Sequence, residues 1–179
     1  MPKAKLEILE VLLKEYEKLK DEQSQRIGFR DNMLYIAIVV IGSIFSFAMG
    51  TTGKTIALLL VPWVCIILGW TYLVNDEKIS SLGKYVQEVL SKSIHKNINT
   101  KEKNLLGWEL EHKYVKGRFR RKLIQLFVDE MTFCLSGMVS VGYYFFIHQP
   151  QSFVLVICII EMVLLIGLGI EILIQANFS

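Results

Sequence analysis

The stretch 153–174, FVLVICIIEMVLLIGLGIEILI, decides the fold. Its 22 residues carry only two charged groups, Glu161 and Glu171. A helix needs about 20 apolar residues to cross a bilayer. Three similar blocks precede it, Met33–Met49, Ile56–Val74 and Met131–Ile147, of 17, 19 and 17 residues. They account for a hydrophobic fraction of 53% and a mean hydropathy of +0.42, above the usual range for soluble domains. The expectation is an all-α membrane protein with four transmembrane helices. Their inner ends extend into a cytoplasmic helical stalk.

Charge placement orients the helices. Of the 20 Lys and Arg, seven precede the first block, twelve lie in 75–124, and Lys54 alone lies between the first two blocks. Cytoplasmic loops collect Lys and Arg. Both termini and the 75–124 segment are therefore expected inside, with short outer turns at 50–55 and 148–152. The first 30 or so residues are too charged for a signal peptide.

Four regions follow. Residues 1–32 form a cytoplasmic amphipathic helix running unbroken into the membrane. Residues 33–74 and 125–179 form two transmembrane hairpins, and 75–124 form a cytoplasmic helical region. Leu6, Leu9, Leu13 and Tyr16 recur at helical spacing and form a stripe that needs a partner, either another segment of this chain or another copy, with oligomerisation the expectation. A homo-oligomer is expected, with four copies as the first guess. Ile79, Leu82, Val86, Val89 and Leu90 mark a second amphipathic helix. Trp63 and Trp70, with Tyr72, suit the membrane interfaces.

Few residues suggest chemistry. Cys65, Cys134 and Cys158 all fall inside apolar blocks and read as packing residues. No catalytic set or metal-ligand spacing appears, so no enzyme, metal or cofactor is expected. Gly53-Lys54-Thr55 ends a relaxed phosphate-loop pattern, but a turn between two membrane helices lacks the required strand.

Glu161 stands near the middle of its block, where an acidic residue costs about 2.5–3.5 kcal/mol on insertion scales. It reads either as a pore-lining carboxylate, repeated as a ring around an oligomer, or as interhelical packing. Thr132, Ser136 and Ser140 share one helix face. So do Gly42, Ser46 and Gly50. Both rows suit close packing, and the hydroxyl row can also line a pore.

The segment 107–122, GWELEHKYVKGRFRRK, is the densest basic run. It fits either a topology determinant against anionic lipid or, with its interleaved aromatics, a nucleic-acid or nucleotide site.

Together with 26–35, RIGFRDNMLY, and 62–80, PWVCIILGWTYLVNDEKIS, this segment resembles the small four-helix membrane effectors of bacterial antiphage systems, of the Hailong type. The resemblance implies a homo-oligomeric ion channel in the bacterial inner membrane. A companion nucleotidyltransferase would make a single-stranded DNA oligomer that holds the channel shut. Infection would remove the oligomer and depolarise the membrane. Lys113, Lys116, Arg118, Arg120 and Arg121 are then the positions for the inhibitory polyanion. Two alternatives stand beside it. One is a non-conducting scaffold or accessory subunit that docks a cytoplasmic partner; the other is a proton-coupled transporter using Glu161.

Overall fold

A computed structural model describes residues 3–50, 54–98, 118–148 and 151–178. Every regular element among them is helical. Helix α1 spans Lys3–Met49, 47 residues without a break. A 3₁₀ turn, Thr55–Leu59, leads into α2, Leu60–Tyr85. A π turn at Val86–Leu90 joins α2 to α3, Ser91–Ile98. Helix α4, Arg118–Asp129, passes through a second π turn, Glu130–Leu135, into α5, Ser136–Ile147. Helix α6 is Ser152–Phe178. Four of these helical stretches are long and apolar enough to cross a membrane.

The chain divides into two compact units. The first draws on Met1–Phe29 and Asn75–Arg121, the second on Arg30–Val74 and Lys122–Ser179.

The first unit is an antiparallel helix pair. Leu9, Leu12, Tyr16 and Leu19 of α1 pack on Val86, Leu90 and Ile94. Tyr85 Oη donates to Glu15 Oε1 at 2.8 Å, and Asn75 Nδ2 donates to the Arg26 carbonyl at 2.7 Å. The Glu15 carboxylate thereby holds the exposed Tyr85 phenol above its ordinary pKa. On α1 the seam residues 9, 12, 16, 19, 23 and 26 alternate by three and four, as in a coiled coil. The opposing residues, Leu82, Val86, Leu90, Ile94 and Ile98, recur every four. On a regular helix that spacing would drift about 160° around the axis. The π turn at Val86–Leu90 takes up most of the drift. It also corrects the expected stripe: Leu90 is buried while Val89 faces out. The expected oligomerisation stripe divides as well. Leu9 and Tyr16 are taken up within the chain, whereas Leu6 and Leu13 remain exposed.

The second unit closes around Ala37, Ile41, Val61, Cys65, Phe133, Leu165 and Leu168. Two glycines let its helices approach. A methyl group on Gly69 would lie 2.7 Å from Leu168 Cδ2 and 3.2 Å from Phe133 Cβ. One on Gly137 would lie 2.8 Å from Leu165 Cδ1. The row Gly42, Ser46 and Gly50 is exposed instead and does not pack within the bundle of one chain. Tyr72 also departs from expectation. It turns inward rather than to an interface, with its ring against Phe133 at 5.4 Å.

Gly69→Ala forces Phe133 and Leu168 apart and is expected to destabilise the bundle by about 1–3 kcal/mol. Gly142→Ala meets open space and is expected to be neutral or stabilising by up to ~1 kcal/mol. Thermal loss of helical circular dichroism in detergent measures both. Equal midpoints for the two variants would contradict the close approach at Gly69.

Candidate functional site

The interior of the second unit is mostly apolar, and polar groups recur through it. They follow the third membrane stretch from Asp129 to Ser140, with Gln125 and His148 exposed beyond its two ends. From Gln125 to His148 is 23 steps, or about 35 Å at 1.5 Å per residue. At the Gln125 end, Gln125 Nε2 donates to Tyr72 Oη at 3.2 Å. Asp129, itself buried, also engages Tyr72. Glu130 and Cys134 lie next. Both crowd Gly169 of α6, whose absent methyl would sit 3.2 Å from Glu130 Oε2 and 3.3 Å from Cys134 Sγ. The Cys134 thiol also reaches the Leu165 carbonyl at 3.7 Å.

The π turn explains why these groups share one face. Asp129, Phe133, Gly137 and Val141 are all buried, at intervals of four. Over that length a regular helix would drift about 120°. The wide turn at Glu130–Leu135 absorbs the drift and keeps carboxyls, thiol and glycine pointed inward.

The predicted hydroxyl row comes next. Thr132 Oγ1 donates to the Val128 carbonyl at 2.8 Å, Ser136 Oγ to the Thr132 carbonyl, and Ser140 Oγ to the Gly137 carbonyl at 2.8 Å. Ser136 also meets Cys65 Sγ of α2 at 3.4 Å. Ser140 is wholly buried, and Thr132 and Ser136 are half-buried.

Glu161 is 0% exposed, and neither carboxyl oxygen has a hydrogen-bond partner. The Trp63 indole is its nearest hydrogen-bonding neighbour, at a geometry that falls short of a full hydrogen bond. Because Leu165 meets Gly137 and Gly169 meets Cys134, α5 and α6 run antiparallel. Glu161 therefore falls near the level of Ser140 and Val141. Glu130 Oε1 is likewise buried and without a hydrogen bond. Buried polar atoms are normally satisfied, so these two carboxyl groups stand out from the rest of the interior.

Both Ser140 and Glu161 thus lie inside a single protomer's own bundle. Glu171, by contrast, is exposed.

The basic run is only partly described. Arg120 and Arg121 are exposed near the start of α4. Arg118 opens that helix. Lys113 and Lys116 lie outside the described residues. Among the described residues, no group of His, Cys, Asp and Glu is arranged to hold a metal ion.

The sequence reading missed the Tyr72–Gln125 bond and the Glu130–Cys134–Gly169 contact. Neither has a sequence signal, because each depends on which helix faces which.

The structure defines a class: an all-α chain compatible with a multi-pass membrane protein. No protein-family model, curated protein or solved structure matches it.

Glu161→Leu removes an unsatisfied buried carboxyl from an apolar setting. The variant is expected to be more stable than the parent by about 1–3 kcal/mol, read as a higher melting midpoint in detergent. A lower midpoint would mean that the carboxyl is held by a stabilising bond.

Proposed function

We propose that this chain is the subunit of a homo-oligomeric membrane channel opened and closed from its basic side. The observation that carries the reading is Glu161. It is a fully enclosed carboxyl at membrane depth with no hydrogen-bond partner. It stands near the level of buried Ser140, farther along the bundle from Glu130 and Cys134. Ionisable groups held inside a membrane bundle mark ion and proton routes.

The exposed arginines Arg120 and Arg121 continue the basic run into α4. Arginine suits a phosphate-rich ligand. The gating ligand is accordingly a nucleic acid or nucleotide that binds one channel state better than the other. The resemblance to Hailong-type effectors supports a bacterial inner-membrane location and an antiphage role. It also supports a single-stranded DNA oligomer as the closing ligand.

Expression of the full chain alone in bacteria, followed with a voltage-sensitive dye, tests conduction. The parent is expected to depolarise the membrane. Glu161→Gln is expected to slow depolarisation roughly ten-fold, equivalent to about 1.4 kcal/mol on the barrier. Arg120→Glu with Arg121→Glu is expected to abolish inhibition by a co-expressed companion nucleotidyltransferase. A normal potential in cells that express the parent well would overturn conduction by this chain alone.

A second reading, a non-conducting scaffold, is favoured by one observation. Leu6 and Leu13 leave exposed apolar side chains on one face of α1. Normal potential with a cytoplasmic protein bound through Leu6 and Leu13 would select it.

A further inference from the structure

The 3₁₀ turn and the end of α5 meet at a pocket unrelated to Glu161 or the basic run. We infer that this pocket binds the phosphate headgroup of an anionic phospholipid.

Its frame is fixed by short-range bonds. Lys54 caps the 3₁₀ turn in an extended conformation, and its carbonyl accepts the Ala57 N–H at 2.9 Å. His148 ends α5, with its N–H donating to the Tyr144 carbonyl at 3.0 Å. The His148 ring leans on Tyr144 at 5.3 Å. Its Nε2 lies 2.6 Å from Thr55 Oγ1, which ties the two chain segments together. The Gln151 carbonyl accepts the Leu155 N–H at 3.0 Å, anchoring the third segment to the first turn of α6. Between the three segments lies an open pocket of about 500 Å³, within the range of small-ligand sites.

The lining has one chemical character. Lys54 supplies an ammonium, Gln151 an amide, and His148 and Thr55 further hydrogen-bonding groups. Among the described residues, no Asp or Glu lines it. Within 31–74 and 123–179, Lys54 is the only Lys or Arg. Several donors and one cation without a facing carboxylate favour an anion.

The rest of the lining is apolar, from Ile56, Val154 and the Tyr144 ring. Nearby surface residues are apolar and outward-facing: Ile56 is 57% exposed, Phe146 88% and Phe153 75%. A free phosphate ion would leave that apolar surface unused. A phospholipid uses both parts, its phosphodiester on Lys54 and its acyl chains along Ile56 and Phe153. A basic group at a membrane surface adds about 1 kcal/mol of attraction to an anionic lipid.

The test is native mass spectrometry of the full chain released from detergent micelles. Phosphatidylglycerol and phosphatidylcholine with identical acyl chains are added in parallel. The parent is expected to retain phosphatidylglycerol preferentially. Lys54→Gln is expected to lower that retention about five-fold, the equivalent of ~1 kcal/mol. Lys54→Gln with His148→Gln is expected to lower it further. Lys92→Gln, which removes an exposed charge from the first unit, is expected to leave it unchanged.

Lys54 is exposed and its anchoring contact is made by backbone, so the single variant keeps the fold. Unchanged retention in Lys54→Gln would overturn the site. Equal loss in Lys92→Gln would do the same, because the effect would then be one of total charge. Full displacement of the lipid by inorganic phosphate would overturn the lipid assignment and leave a free-anion site.

Discussion

The carboxyl of Glu161 imposes a constraint that the membrane bundle is built to meet. Hydrocarbon offers it no hydrogen bond, so it must turn away from lipid. Helix α6 is apolar around its whole circumference and cannot enclose the group by itself. Enclosure needs the other helices to come close. Gly69 against Leu168 and Phe133, and Gly137 against Leu165, allow that approach. Gly169 then brings α6 onto Glu130 and Cys134, so a second carboxyl is enclosed by the same packing. The glycines and the buried acids are two sides of one arrangement.

Much of this was legible before any coordinates. The four long apolar blocks, three of them uncharged and the fourth with only Glu161 and Glu171, fixed the number of membrane stretches, because length and scarcity of charge suffice for that inference. The absence of proline from residues 3–49 made one long helix the simplest reading, and α1 is unbroken. Facing was less legible. Val89 and Leu90 both read as part of the buried stripe, and across the π turn Leu90 is buried while Val89 faces out. Tyr72 looked interfacial from its position near a block's end, but Gln125 and Phe133 draw it inside. Leu9 and Tyr16 looked available to another copy until the chain itself supplied their partners, Val86, Leu90 and Ile94. Each failure has one physical cause: a periodic pattern shows that a face is covered without showing what covers it.

The two π turns do related work in different settings. At Val86–Leu90 the turn keeps a four-residue repeat in register with a three-four repeat. At Glu130–Leu135 it keeps polar and small residues on one interior face. A π turn leaves backbone hydrogen bonds looser than in a regular helix, and its cost must be offset locally. In the first case the offset is the apolar seam. In the second it includes the Tyr72 contacts with Gln125 and Asp129 and the ring contact with Phe133. The second turn therefore sits where packing and polar contacts reinforce each other, and it opens on Glu130, whose Oε1 has no hydrogen bond.

Under the proposed reading, the inward direction of Glu161 changes what oligomerisation is for. A pore on a symmetry axis needs several copies to exist at all. A route through one protomer's interior does not, so assembly would serve control rather than construction. Exposed Leu6 and Leu13 on α1 could then join copies, while Arg120 and Arg121 on α4 gather a polyanion. One long ligand could bridge several basic runs, and linked sites gain affinity through effective concentration without new contacts. That arrangement would make a short oligonucleotide a better closing ligand than a mononucleotide, although each protomer conducts on its own. Conductance in steps of one protomer, with closure that depends on ligand length, is the signature that separates this arrangement from a single axial pore.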